Sequence, residues 1–368
     1  MVKSIGVDKI LIAVIVILTL FGIIMVHNST SILAKEKFGD SLYYFKRQIG
    51  WLILGTIVMI LITSLKKPFY LERNFVFFSM FAAISGLIAV FFTGKINNSF
   101  RWIKFGDLSI QPSEFAKVAV VLYLSFMLSR RKADVNDFKK LFFILIPVII
   151  IEILILREPD IGTFALILLI TVVLLFVAGL KFRYLLASAV FMLPSFILIL
   201  QFNPDKMGRI FAFLNPEAYS ATYGFQALQS IYAIGSGGIF GQGFGNSVQK
   251  LYFLPYAYSD FIFAVIGEEA GLIGSFLVVG LFSLFLIRSL NIAKLSGNRY
   301  TYLFVTGLSF LIVIQAMINI SVTIGIFPTK GIPLPFISNG GSSLISSLLI
   351  GGLILNISRH RKTVLMND

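Results

Sequence analysis

The chain has no cysteine, two histidines and two tryptophans in 368 residues. Without cysteine there is no disulfide, no thiolate nucleophile and no cysteine-held metal. The two histidines, His27 and His360, stand near opposite ends of the chain, so nothing suggests a histidine-ligated metal centre. Charge is also scarce. Charged residues make up 13% of the sequence, about half the ~25% of an average soluble domain. Acidic residues are the rarer sign, 17 against 31 Lys and Arg.

What fills the remaining positions sets the class. Hydrophobic residues reach 57%, with 38 Phe among them. A soluble core cannot hide so much apolar side chain, so lipid is the expected solvent. The net charge of +14 invites a nucleic-acid reading. The basic residues, however, are scattered over short loops and form no stripe, so no nucleic-acid partner is expected. They suit cytoplasmic loops facing anionic lipid.

Apolar runs near residues 10–27, 48–65, 75–93, 114–129, 140–156, 162–180, 184–201, 261–287, 302–326 and 341–358 predict about ten transmembrane helices. Their lengths bracket the ~20 residues that cross ~30 Å of hydrocarbon. The expected fold is all-α: one polytopic membrane domain over residues 1–368, with a long extracytoplasmic loop, 202–260, between spans 7 and 8. The first run lacks a small-residue cleavage site and reads as a retained span. With the N-terminus inside, the inner segments hold 18 of the 31 Lys and Arg, although the outer segments are about twice as long. Both termini are therefore expected in the cytoplasm.

That topology turns residues 94–113, 157–161, 202–260 and 327–340 outward. The 202–260 segment is too long for a simple connection. Its Gly235–Gly245 stretch carries six glycines and lacks the Lys-Ser/Thr ending of a phosphate-binding loop. Such glycine density serves either close backbone packing or amides turned toward a ligand. The segment ends at Asp260, just before Phe261–Ile266 enters hydrocarbon. Partial desolvation there raises a carboxylate's basicity and suits a general base, while helix capping is an equally good use of Asp. Glu268 and Glu269 sit about two turns deeper and read first as partners of a basic residue.

Three other segments carry polar chemistry. Arg101, Trp102 and Lys104 precede Gln111-Pro112-Ser113-Glu114 and Lys117. Glu114 and Lys117 are three apart and share a helix face, as an ion pair or as ligand contacts. Arg157, Glu158 and Asp160 form a second cluster, and Pro328–Ser343, with three prolines to residue 335, forms a third. Irregular backbone at membrane depth is tolerated only when protein covers it or it lines a cavity.

Gln111-Pro112-Ser113-Glu114 with Lys117, Glu158-Pro159-Asp160-Ile161-Gly162-Thr163, Asp260–Glu269 and Pro333–Ser338 resemble the signature segments of the SEDS family, ten-span glycosyltransferases that polymerise peptidoglycan. Phe327–Gly331 and Leu334–Phe336 resemble its division branch, FtsW, more than its elongation branch, RodA. The resemblance implies lipid II as substrate, a class B penicillin-binding protein and other divisome membrane proteins as partners, and a place in the bacterial cytoplasmic membrane at the division septum. It also implies roles. Asp260 would be the catalytic base. Arg101, Lys117, Arg209 and Lys250 would stabilise the departing pyrophosphate. Gln111, Glu114, Trp102 and Ser338 would position substrate, and Asp160 would support the vestibule. No cofactor is implied, and a divalent cation at the pyrophosphate is left open.

Three of the segments depart from the family pattern. Tyr256 and Tyr258 replace its usual Glu and His, Glu158 replaces Gln, and Asn339 replaces Tyr. A lipid II translocator and a structural scaffold of the division machinery are the competing readings.

Overall fold

The computed structural model describes residues 6–94, 99–106, 108–130, 135–184, 204–250 and 253–360. The long helices are α1 (Lys9–Phe38), α2 (Tyr43–Ser64), α3 (Arg73–Val90), α4 (Pro112–Ser129), α5 (Phe138–Arg157) and α6 (Ile161–Val177). After them come α7 (Pro204–Leu214), α8 (Phe225–Gly237), α9 (Ile262–Lys294), α10 (Arg299–Thr323) and α11 (Gly341–Arg359). Seven of these are long and apolar enough to cross a membrane: α1–α4 and α9–α11. In α5, Lys139, Lys140, Glu152 and Arg157 interrupt the apolar run, and α6 is 17 residues long. The span expected at 184–201 lies outside the described residues apart from Tyr184.

Two features differ from a bundle of spans joined by plain loops. The 94–113 segment contains a short hairpin, β1 (Ile103–Phe105) with β2 (Leu108–Ile110), paired antiparallel with Lys104 opposite Ser109. The stretch expected as an outer loop at 202–260 contains helices α7 and α8. Glycine and proline density masked their helical periodicity.

The core is built from α4, α10 and α11, whose apolar windows are mostly buried, while α2, α3 and the C-terminal part of α9 present apolar side chains outward. Small residues bring helix backbones close, which matters in lipid because neighbouring helices gain little from hydrophobic burial there. A Cβ on Gly352 of α11 would stand 2.9 Å from the Met59 carbonyl of α2. One on Gly341 would enter the Trp51 ring.

The N-terminal part of α9 is unusual. Residues Phe261–Glu269 are buried, and the helix breaks at Gly271 (φ 64°, ψ −160°). The glycine-rich segment fills that break. The Gln242 and Gly243 amides donate to the Glu268 and Glu269 carbonyls at 2.9 and 3.0 Å. In return, the Leu272 and Ile273 amides donate to the Gly238 and Ile239 carbonyls at 3.0 and 3.3 Å. A Cβ on Gly241 would lie 2.1 Å from the Glu269 carbonyl oxygen. Close backbone packing thus accounts for Gly237 and Gly241, while Gly238, Gly243 and Gly245 supply positive φ, and the exchanged hydrogen bonds satisfy groups that a broken helix would leave unpaired.

Candidate functional site

Asp260 stands just before α9, at the end of the bundle where the 94–113, 157–161 and 327–340 segments converge. A cavity of about 220 Å³ opens beside it. Its lining includes Arg101, Trp102, Gln111, Glu114, Lys117 and Asp260, six of the residues expected from sequence. Tyr256, Ser259, Gly331, Ile332, Pro333 and Asn339 complete much of the wall.

The cavity floor is an ion pair. Lys117 Nζ lies 2.9 Å from Glu114 Oε2, and both side chains are almost fully buried. The α4 helix brings the two together because residues three apart share a face. The pair is fully hydrogen-bonded. Lys117 also donates to Gln315 Oε1 at 2.8 Å, and Ser346 Oγ donates to Glu114 Oε2 at 2.9 Å. Those further bonds offset the desolvation that makes buried charge expensive.

Burial pushes the Asp260 carboxyl up to about 7; Arg101 opposes the rise, Asp160 adds to it and Arg209 opposes it. Such a group exchanges a proton near neutrality, which is what general base chemistry needs. Its main chain is held too: the Asn319 Nδ2 donates to the Asp260 carbonyl at 2.7 Å.

The neighbouring loops are tied to one another. Arg101 donates to the Glu158 carbonyl at 3.2 Å and the Pro159 carbonyl at 2.6 Å. Asp160 caps α6, accepting from the Thr163 amide at 3.1 Å and from Thr163 Oγ1 at 2.9 Å. The Gln111 amide group reaches Asp160 Oδ2 at 3.4 Å. Ser338 Oγ donates to the Ser259 carbonyl at 2.6 Å and accepts from the Leu334 amide at 2.7 Å. The Asn339 amide donates to the Tyr258 carbonyl at 3.0 Å. Tyr256 and Phe336 in these loops have φ of 58° and 65°. Left-handed backbone costs a bulky residue about 1–3 kcal/mol and is kept where the surroundings impose it.

Four expected residues do not line the cavity: Asp160 and Ser338 tie its loops, and Lys250 and Arg209 sit elsewhere. Lys250 is nearly buried against Glu269 at 2.8 Å and does not line the cavity. Glu269 also accepts from Asn28 at 3.4 Å, and Glu268 accepts from Ser247 Oγ and from the Val248 amide at 2.9 Å. The two acids therefore clamp the 245–250 segment and α1 to α9. Arg209 donates to the Thr329 carbonyl at 3.4 Å and acts on Asp260 from behind the loop.

Sequence reading passed over Gln315, Asn319 and Ser346. Gln315 and Asn319 are buried polar residues four apart inside an apolar span, and that spacing was the available signal. It also left the Glu158 departure unexplained. Glu158 is fully buried and neither carboxylate oxygen has a hydrogen-bond partner among the described residues. Burial first, then Asp160, pushes its carboxyl up to about 8, against Arg101. At neutral pH it is therefore an uncharged acid, close in shape and charge to the Gln it replaces.

Comparison with known proteins identifies the family. The family model for FtsW, RodA and SpoVE, described as cell cycle proteins, matches residues 8–363. The probable peptidoglycan glycosyltransferase FtsW of Trichlorobacter lovleyi is 35% identical over 359 residues, covering 96% of this chain and 94% of its own. Stage V sporulation protein E of Bacillus subtilis is 35% identical, covering 98% of this chain and 99% of its own. Among solved structures, a chain of a peptidoglycan synthase complex that coordinates polymerization and crosslinking has a TM-score of 0.76 at 25% identity. It covers 98% of this chain and 99% of its own. The rod shape determining protein RodA of Thermus thermophilus scores 0.69 at 25% identity, with 99% of both chains covered. The chain belongs to the FtsW/RodA/SpoVE family of cell cycle proteins, and its curated relatives place it with the FtsW type.

Proposed function

We propose that the chain is a peptidoglycan glycosyltransferase of septal wall synthesis, polymerising lipid II into β-1,4 glycan at the outer face of the bacterial cytoplasmic membrane. The carrying observation is Asp260, a carboxyl raised to about 7 in a cavity that also presents Arg101 and Lys117. The relatives named as glycosyltransferases supply the reaction class.

In the proposed step, the acceptor sugar's 4-hydroxyl oxygen forms a bond to the donor's anomeric carbon. Its proton passes to Asp260. The bond from that carbon to the pyrophosphate breaks, and the electron pair leaves with the phosphate oxygen. Arg101 and Lys117, with Arg209 behind the loop, stabilise the new charge. One displacement inverts the α-linked donor to a β linkage, as in inverting hydrolases with a sugar hydroxyl in place of water. Gln111 and Glu114 position substrate, Trp102 stacks on a sugar, and Asp160 and Ser338 hold the surrounding loops. Lys250 belongs to the clamp on Glu269 and has no part in the step.

The lipid carrier has a place to lie. An apolar groove of about 440 Å³ runs between α2, α3, α4 and α11, lined by Phe75, Phe78, Phe115 and Leu353 among others. Ile110 and Pro112 belong to the groove and Gln111 and Glu114 to the cavity, so the two meet at the start of α4. A polyprenyl tail in the groove would deliver its pyrophosphate to the cationic end of the cavity. The partner in this reading is a class B penicillin-binding protein, which crosslinks the strands, within the larger division machinery.

Purified lipid II, supplied to the reconstituted chain with and without its transpeptidase, tests the proposal. Glycan ladders from wild type and none from Asp260→Asn are expected. Lipid II crossing between leaflets without polymer would point to a translocator.

A further inference from the structure

We propose that Gln315 and Asn319 of α10 are positioning residues that hold the Asp260 segment and the opposite cavity wall in register with Lys117. The proposal rests on the reading of Asp260 as the base.

Both residues lie inside an otherwise apolar span, at 3% and 1% exposure. Being four apart, they project from one helix face. A buried amide in a membrane span is costly unless its hydrogen bonds are met. Here the donors of both amides and the Gln315 oxygen are met by the site itself, while the Asn319 Oδ1 has no hydrogen-bond partner among the described residues. Asn319 Nδ2 donates to two carbonyls, Asp260 at 2.7 Å and Ile332 at 2.7 Å. Gln315 Nε2 donates to the next carbonyl, Pro333, at 2.9 Å, while its Oε1 accepts from Lys117 at 2.8 Å.

The result is a bracket. Ile332 and Pro333 line the cavity, and so do Asp260 and Lys117. All four are gripped by two side chains spaced one helical turn apart on a single rigid element. Pro333 contributes no amide hydrogen, and the backbone hydrogen bonds that Ile332, Ile337 and Ser338 donate are short turns within the loop, to Lys330 and Leu334. Without the bracket, the loop and the Asp260 segment would be free to move apart, and water could enter beside the carboxyl. A displacement of about 1 Å is enough to cost on the order of 100-fold in rate.

The test uses the full chain with its transpeptidase partner in lipid nanodiscs and purified lipid II. Asn319→Leu keeps similar volume and removes both donors. Its kcat is expected to fall by about 10- to 100-fold, with KM changed less than about threefold. The acidic limb of its pH–rate profile should move to lower pH, because water reaching Asp260 relieves desolvation. A purely structural role would lower the active fraction and leave the limb in place. Asn319→Gln retains donors and should recover part of the rate. Gln315→Glu keeps the acceptor for Lys117 and loses the donor to Pro333, so it separates the two halves of the bracket.

A folded Asn319→Leu with wild-type kcat and an unmoved limb overturns the proposal. If that variant does not fold, Gln315→Met carries the test, and an unchanged kcat and limb there overturns it equally. Asp260→Asn is run alongside. Full activity in Asp260→Asn removes the base reading. Inactivity there beside a wild-type Asn319→Leu removes the bracket alone.

Discussion

Gly331 faces the Asp260 carboxylate so closely that a Cβ at position 331 would stand 3.0 Å from Oδ2. Hydrogen in place of a side chain is what leaves the carboxylate room at the cavity wall. Gly331→Ala is therefore expected to push the carboxylate aside and lower polymerisation by about tenfold or more. Thermal melting should hardly change, since the contact is with a movable side chain. Equal loss of rate and melting temperature would assign the glycine to folding.

The raised carboxyl makes a prediction in pH. Polymerisation should climb through about pH 7 as Asp260 ionises. Asp260→Asn should reduce it by about 10²–10⁴-fold, the usual contribution of a general base. Stability moves the other way. The folded chain holds the Asp260 proton up to about 7 and the unfolded chain releases it near 3.8, so this residue costs stability as pH rises between those values. Asp260→Asn should therefore melt higher than wild type at pH 8, with the gap closing in acid. Melting in detergent at both pH values checks it.

Glu158 offers a control of the same kind at a group that touches no proposed reaction step. Its carboxyl stays protonated to about 8. Above that pH it must ionise with no hydrogen-bond partner for either oxygen among the described residues. Glu158→Gln should leave polymerisation near pH 7 within about twofold and raise the melting temperature by an amount that grows as pH rises from 4.5 to about 8 and levels off above that. Loss of activity at neutral pH would show that the acid itself is used.

The buried pair of Lys117 and Glu114 should respond asymmetrically to mutation. Lys117→Met strands a buried carboxylate and should cost about 3–5 kcal/mol. The double variant Lys117→Met with Glu114→Gln removes both charges and should be more stable than Lys117→Met alone. Both should be inactive. Chemical or thermal unfolding of wild type, the two single variants and the double variant measures the coupling.

Lys250 and Glu268 belong to a clamp, and their variants should behave accordingly. Glu268→Ala removes the acceptor for Ser247 and the Val248 amide. A hydrogen bond to a charged group contributes about 1.5–3 kcal/mol. Limited proteolysis should find new cleavage between residues 245 and 250. Lys250→Met should lower melting while the KM for lipid II stays within about twofold; a large rise in KM would place Lys250 on the substrate.

Most of the architecture was readable from the chain because hydropathy acts locally. A run of about 20 apolar residues needs lipid whatever its neighbours are. Asp260, Glu114 and Lys117 stood out for a similar reason, since a charge beside hydrocarbon needs a use or a partner. Helices α7 and α8 were hidden, because the glycines and prolines around them mark turns more strongly than their short periodicity marks helix. The role of the Gly235–Gly245 stretch was also undecided, as glycine suits ligand loops and close packing alike. Only the break at Gly271, against which Gly237 and Gly241 pack, assigns those two glycines to close packing.

The sequence by itself determined a lipid-solvated helical chain and the handful of polar residues that lipid cannot solvate. Which of those residues meet was decided by the tertiary structure. Lys250 turns to Glu269, although it looked like a cation for substrate. Gln315 and Asn319, unremarked in an apolar run, reach Lys117 and the Asp260 backbone from nearly 200 and 60 residues away. Proton affinity at Asp260 follows the same rule. It is set by desolvation and by the charges of Arg101, Asp160 and Arg209, and those distances exist only once the chain has folded.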